Sequence, residues 1–281
     1  MSNTFSVIVL LYNNSNYIWQ CLDSILIQEY QEIEIIVVDD GSKVFPKNEI
    51  DQYIRDHQKQ NIVSFTVYQN ECNFGTVKSA NGAIGKSHGA FIKLLAADDA
   101  LYDQHSLSCA AKALTESPCG IITSNVMRCD KDLVPAGKYR NGLPERLNDL
   151  SPFQVFRILC LHNEIVAGGV FFSRTFFEKY GFFDETYRLL EDWPTWLRVT
   201  REGCRFAYSP FWGVKYRFNS GVGTSINPYY MQDKRLAFEK IIKPAKKEIG
   251  WYWYLKARLA FFLINSPFVR KTYGFFFRGG N

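Results

Sequence analysis

Three pairs of adjacent acids carry the chemical interest of this chain: Asp39-Asp40, Asp98-Asp99 and Glu191-Asp192. Any one pair has a plain structural use. Asp39-Asp40-Gly41-Ser42 has the composition of a tight turn or a helix cap. Glu191-Asp192 stands where a helix N-terminus favours negative charge. Two pairs gathered at one place are another matter, because close carboxylates repel unless a cation or hydrogen-bond donors offset them. A divalent metal carrying a diphosphate is a natural counterweight, since hard oxygen ligands suit Mg²⁺ or Mn²⁺.

The elements that must position these acids can be read from the apolar runs. Phe5–Tyr12 (FSVIVLLY) is nearly continuous and fits a central parallel strand. The spacing predicts a helix over Tyr17–Gln28 and strands over Ile33–Val38, Ile62–Tyr68 and Phe91–Leu95. Helices over Glu49–Lys59 and Gly75–Ser87 separate them. Such β-α alternation implies parallel strands with right-handed crossovers and helices on both faces. Ligands of such sheets bind beyond the carboxyl ends of the strands. Tyr12–Asn14, Asp39–Ser42 and Asp98-Asp99 all fall there. Asn13-Asn14-Ser15-Asn16 follows the first strand instead of GxGxxG, and no GxxxxGK[ST] loop follows any strand, so dinucleotide and ATPase readings are disfavoured.

Beyond Asp99 the pattern is mixed. Helices are expected at Leu107–Leu114, Pro152–Cys160, Asp192–Arg201 and Tyr229–Lys247, with a helical turn at Thr175–Lys179. Strands are expected at Gly120–Met127, Val170–Ser173, Arg205–Ser209 and Val214–Phe218, with a loop over Asp130–Asp149.

Three segments carry a family resemblance: FSVIVLLYNNSNYIWQCLDSILIQEYQEIEIIVVDDGS, QNECNFGTVKSANGAIGKSHGAFIKLLAADD and GFFDETYRLLEDWPTWLRVTREG. In this order, over roughly residues 5–220, they resemble the inverting family 2 glycosyltransferases of the GT-A fold. The resemblance implies a nucleotide-sugar pocket with Asp39 on the base, Tyr12 and Asn14 lining it, and Lys78 near the donor. It implies Asp98 as a ribose or sugar contact, Asp99 as the ligand of Mn²⁺ or Mg²⁺, and Asp192 of the Glu191-Asp192 pair as catalytic base. Ala96-Ala97 stand before Asp98-Asp99 where the family often has an acid, and Asn219 stands near a place where relatives often have histidine.

The implied reaction moves a sugar, with a UDP-sugar the favoured donor, onto a saccharide acceptor hydroxyl. A lipid-linked acceptor in bacterial surface-polysaccharide assembly fits this scheme. A sugar nucleotidyltransferase and a nucleotide-sugar-binding protein without turnover are the alternatives. His57, His88, His105 and His162 match no triad or metal spacing and read as surface or structural residues. Trp193 and Trp196 fit a sugar site or core packing equally.

Composition bounds the rest. The 281 residues are 47% hydrophobic and 22% charged, which fits a globular chain. Seven scattered cysteines without a CxxC pair favour a reducing, cytoplasmic setting over a disulfide framework. From Lys243 onward there are eight Lys/Arg and one acid, so the net charge of +5 resides in this tail; a uniformly basic nucleic-acid binder would differ. The division expected is a GT-A domain over 1–220, with a nucleotide-sugar half to about residue 100 and an acceptor half after it. A helical, aromatic and basic extension over 221–281 follows. Its aromatics mixed with Lys and Arg suit either a membrane surface, at the inner face of the cell membrane, or a helix docked on the body.

Overall fold

The computed structural model describes residues 3–139, 142–218 and 227–265. The late segment around Asn219 lies outside them.

The opening apolar run becomes a buried central strand because it has parallel neighbours on both sides. In chain order the first half is β1 (Phe5–Leu11), α1 (Ile18–Leu26), β2 (Ile33–Asp39), α2 (Lys47–His57), β3 (Ile62–Gln69), α3 (Thr76–Lys86) and β4 (Phe91–Ala96). These four strands are parallel, in the order β3-β2-β1-β4. The chain steps outward from β1 to β3, then returns to lay β4 on the other side of β1. That reversal opens a crevice beyond the carboxyl ends of β1 and β4. Register aligns Leu11 with Asp39 and Leu10 with Ala96, so the residues after all three strands meet at one edge.

The second half contains β5 (Ala100–Leu101), α4 (Ser106–Glu116), β6 (Ile121–Cys129), β7 (Pro135–Lys138), α5 (Pro152–Leu159), β8 (Val170–Ser173), α6 (Arg174–Tyr180), α7 (Asp192–Arg201) and β9 (Ala207–Arg217). The sheet continues from β4 through β8, β6 and β9 to β5, with β7 beside β6. Here the pairing is mixed: β8 is antiparallel to both β4 and β6, whereas β9 runs parallel to β6. The chain then forms α8 (Pro228–Ala237), a π-helical turn at Phe238–Ile242, α9 (Lys246–Ile249) and α10 (Trp251–Asn265).

Three expectations need correction. The loop expected over Asp130–Asp149 contains β7 and a 3₁₀ turn at Pro144–Arg146; β7 is largely exposed, so no apolar alternation announces it. The two strands expected at Arg205–Ser209 and Val214–Phe218 are one strand. Pro210 lacks an N–H, and the ladder to β6 slips beside it while Asn125 Nδ2 donates to the Pro210 carbonyl at 3.0 Å. The helix expected over Tyr229–Lys247 is broken. Pro244 cannot continue an α-helical ladder, and the Lys243 N–H reaches back to Phe238 O in the π-turn.

Each face of the sheet has its own core. One is built from α1, α2 and α4 and includes Leu22, Ile25, Ile50 and Leu107. The other is built from α3, α5, α6 and α7, and it also takes in Ala237, Phe238, Ile249, Tyr254 and Ala257 of the C-terminal helices. The extension therefore shares a core with the sheet.

Gly75, just before α3, has φ +93, and a Cβ there would lie 2.4 Å from the Arg188 carbonyl oxygen. Gly75→Ala is expected to cost about 2 kcal/mol through backbone strain and this clash. Urea unfolding measures it, and a loss below about 0.5 kcal/mol would contradict the close approach.

Candidate active site

A cavity of about 680 Å³ opens at the crevice beyond β1 and β4. One wall carries Tyr12, Asn14, Asp40, Asp98 and Asp99; the other carries Asn163, Glu191, Asp192 and Lys234. The structure thus gathers two of the three acid pairs around one space and adds Asp40 from the remaining one.

The wall that carries Tyr12 and Asn14 is set by turns. Asn13 has φ 52, which turns the chain sharply after β1, and Asn14 Oδ1 accepts the Tyr12 N–H at 3.1 Å. Tyr12 is left 48% exposed. Asp39 lies fully buried under this wall and outside the cavity lining. Its carboxylate accepts Ser42 N–H at 2.7 Å and Gln69 Nε2 at 2.8 Å, as well as the Ser42 hydroxyl. Asp40 accepts the N–H groups of Phe74 and Gly75 and the Ser79 hydroxyl at the start of α3. For this pair the turn use is realised, at Ser42 and at the approach to α3. Lys78 projects from α3 with its Nζ 4.2 Å from the Phe74 ring centroid, and it does not line the cavity.

Asp98 and Asp99 are buried side by side after β4. Burial and then the Asp98 charge push the Asp99 carboxyl well above the usual carboxylate range, against the Arg217 N–H and the charges of Lys93 and Arg217. The buried Arg217 is the main local offset. Its N–H donates to Asp99 Oδ1 at 2.9 Å, its Nε to the Asp98 carbonyl at 2.7 Å, and its guanidinium lies 4.1 Å from the Tyr17 ring centroid. Lys93 is fully buried, donates to the Gly168 and Val170 carbonyls, and is pushed down to about 7 by burial, against the pull of Asp99.

The opposite wall is fixed from the C-terminal part of the chain. Asp233 of α8 accepts the consecutive N–H groups of Arg188, Leu189 and Leu190 at 2.9, 2.6 and 3.1 Å. These bonds hold the stretch that leads into Glu191-Asp192 at the start of α7. Burial and then the Asp192 charge push Glu191 up to about 8. Burial also raises Asp192, but the Trp193 N–H and the Asn163 amide, both at 2.6 Å, and the Lys234 charge oppose it. The environment therefore treats the two acids differently: donors and the Lys234 charge favour the ionised form of Asp192, while its neighbour's charge favours the protonated form of Glu191.

Sequence reasoning missed Asn163, Lys234, Asp233, Lys93 and Arg217. A lysine inside the apolar run FIKLLA was a readable signal; the others are joined to the site only by folding. His162, read as a surface or structural residue, also lines the cavity and contacts Glu164 at 3.0 Å. Trp193 and Trp196 are buried, and their indole N–H groups donate to the Leu159 and Ile165 carbonyls; both belong to the core and both also line the cavity. Among the described residues no group of three or more His, Cys, Asp or Glu forms a metal cage. Two adjacent carboxylates facing a cavity nevertheless fit Mg²⁺ or Mn²⁺, which bind through one or two carboxylates and take their other ligands from phosphate and water.

Residues 6–181 match the family model described as glycosyl transferase family 2, and the chain belongs to that family. An uncharacterised glycosyltransferase of Haemophilus influenzae is 25% identical over 95% of this chain and 80% of its own length. The structure of Staphylococcus aureus TarS 1–349 in complex with UDP-GlcNAc aligns over 84% of this chain and 65% of its own, with 20% identity and a TM-score of 0.61. The mannosyltransferase PcManGT from Pyrobaculum calidifontis, in complex with GDP-Man and Mn²⁺, aligns over 99% and 76%, with 19% identity and a TM-score of 0.63. The fold is accordingly GT-A, with its parallel first half and mixed second half.

This acid pair makes stability depend on pH. A carboxyl whose folded value is raised contributes stability below its unfolded value and loses it as pH rises through the folded one. For Glu191 that window runs from the ordinary glutamate range to about 8. Glu191→Gln is expected to flatten the fall in melting temperature between pH 6 and pH 9, roughly the span over which the group ionises. An unchanged slope would contradict the assignment of the proton to Glu191.

Proposed function

We propose that this glycosyltransferase moves a sugar from a nucleotide-diphosphate donor, with UDP the favoured nucleotide, to a saccharide hydroxyl with inversion. The observation that carries this reading is the cavity itself, with buried Asp98-Asp99 on one wall and the Glu191-Asp192 pair on the other. The complexes of TarS with UDP-GlcNAc and of PcManGT with GDP-Man and Mn²⁺ support a nucleotide-sugar donor and a divalent metal. The relative named poly(ribitol-phosphate) beta-N-acetylglucosaminyltransferase TarS supports a polymeric acceptor.

In this mechanism Tyr12 and Asn14 frame the nucleotide. Asp39 acts on the base side through the Ser42 turn that its carboxylate fixes. Asp99, beside Asp98, would hold Mn²⁺ or Mg²⁺, which when bound neutralises the departing diphosphate. Asp192 accepts the proton of the acceptor hydroxyl as that oxygen attacks the anomeric carbon and the bond to the diphosphate breaks. One displacement inverts the configuration. Asn163 and the Trp193 N–H orient Asp192 and favour its ionised form. Lys78, directed to Phe74, takes no part in this scheme.

The reading extends to location. No helix among the described residues is long and apolar enough to cross a membrane. α10 docks on the body through Tyr254 and Ala257, while Trp251, Tyr252, Leu255, Leu259, Phe262 and Leu263 are exposed. At about 100° per residue these six fall in a stripe about 120° wide, with Lys256 and Arg258 on its two flanks. A cation-flanked apolar stripe matches the surface of an anionic bilayer, where a lipid-linked acceptor would reside. In this reading the extension after residue 220 has two uses: it completes the cavity wall through Asp233 and Lys234, and it offers the stripe of α10 to the membrane.

Asp192→Asn is expected to lower kcat by roughly 10²–10⁴ with donor affinity near normal, and Glu191→Gln by less. The reverse ranking would remove Asp192 as base. UDP-GlcNAc with Mn²⁺ is expected to raise the melting temperature of the wild type, and Asp99→Asn to abolish the metal-dependent part. Donor stabilisation without turnover onto any saccharide acceptor would instead favour a binding protein. Leu259→Ser with Phe262→Ser is expected to release the protein from phosphatidylglycerol vesicles and leave transfer to a soluble acceptor unchanged. Wild type that never sediments with such vesicles, or that elutes as a dimer through this face, would overturn the membrane reading.

A further inference from the structure

We propose that Cys119 and Cys204 form an oxidisable dithiol, a modification site outside the cavity that takes a peroxide oxidant and closes to a disulfide. Cys119 lies in the turn between α4 and β6 and is partly exposed; Cys204 is buried just beyond the end of α7. The Arg205 N–H donates to Cys119 Sγ at 3.2 Å. That N–H belongs to the peptide that follows Cys204, so the bond seats the sulfur of Cys119 against the Cys204 backbone. The Tyr180 hydroxyl donates to the same sulfur at 3.6 Å. The Cys204 side chain is close enough to shift the same thiol. Two donors thus converge on one sulfur, with Cys204 and the Lys179 charge nearby.

This arrangement differentiates the two thiols. Burial opposes ionisation of Cys119, but the Arg205 N–H, Tyr180 hydroxyl and Cys204 contacts outweigh it and hold that thiol below its ordinary value. Burial and the neighbouring Cys119 push Cys204 the other way. One sulfur is equipped as the nucleophile and the other as its resolving partner. The Cys119 thiolate attacks one oxygen of hydrogen peroxide, the O–O bond breaks, and hydroxide leaves to take up a proton as water. The resulting sulfenic acid is attacked by Cys204 Sγ. The S–S bond forms, the S–O bond breaks, and the leaving hydroxide carries off the Cys204 proton as a second water. The peroxide gains the two electrons that the thiols lose.

The bond would join the turn before β6 to the end of α7, the helix whose other end carries Glu191-Asp192. It does not rest on the sugar-transfer reading, because its readout is chemical. The full chain is treated with equimolar hydrogen peroxide at pH near 7 and digested under alkylating conditions. The expected result is a loss of two of the seven thiols, a mass decrease of about 2 Da and one crosslinked peptide pair containing Cys119 and Cys204, all reversed by dithiothreitol. Cys204→Ser is expected to leave a sulfenic acid on Cys119 that dimedone traps. Should that variant fail to fold, alkylation of the wild type decides: iodoacetamide is expected to label Cys119 several-fold faster than the exposed Cys72 and Cys109. Slower labelling of Cys119, oxidation to the sulfinic acid without a crosslink, or a crosslink to any other cysteine would overturn the proposal.

Discussion

Holding Asp98 and Asp99 next to each other in a buried place is the constraint around which the site is organised. Two carboxylates at a strand end, shielded from water, raise each other's energy unless opposite charge or donors are close. The chain meets this with groups from distant segments. Arg217 arrives at the end of β9, with its backbone N–H on the Asp99 carboxylate and its guanidinium on the Asp98 main-chain carbonyl. Lys93 comes up through β4 itself, with its ammonium spent mainly on the carbonyls of Gly168 and Val170. The acid pair therefore depends on the mixed second half of the sheet being in place, not only on the parallel half that delivers it.

The opposite wall obeys a different logic. Glu191 and Asp192 are neighbours in sequence but occupy unlike surroundings, and hydrogen bonds together with the Lys234 charge favour ionisation of Asp192. Asp192 is supplied with the Trp193 N–H and the Asn163 amide, whereas Glu191 is left with its neighbour's repulsion. The backbone leading to them is fastened by Asp233, a residue of the C-terminal extension. Core packing tells the same story, since Phe238 stacks on Phe261 of α10 at 4.6 Å, and Phe261 lines the cavity. The extension thus takes part in building the cavity wall that carries Glu191-Asp192.

Much of this was legible in the sequence, and the pattern of what was not has physical causes. Phe5–Leu11 and Ile33–Asp39 announce themselves because strands covered on both faces must be apolar throughout. The acid pairs at strand ends could be placed because the sheet's topology dictates where strand ends meet. β7 was invisible because an exposed edge strand needs no apolar alternation. Asp39 and Asp40 look equally available as letters, yet in the fold Asp39 secures Ser42 and Gln69 while Asp40 secures the turn that leads into α3. Lys78 lay in the expected stretch, but the helix turns it toward Phe74. Asn163, Arg217 and Asp233 carry no local signal at all, since each acts on residues tens of positions away.

Asp233 grips the main chain of Arg188, Leu189 and Leu190 and not their side chains. Peptide N–H groups are the same whatever residue bears them, proline excepted. The bonds that hold the stretch before Glu191-Asp192 are thus indifferent to the side chain at residue 189, which lines the cavity, whereas Leu190 lines it and is also part of the core. Drift at residue 189 can reshape the pocket while the acids stay where they are. A fold wired in this way separates the part of the wall that must be kept from the part that is free to diversify toward new acceptors.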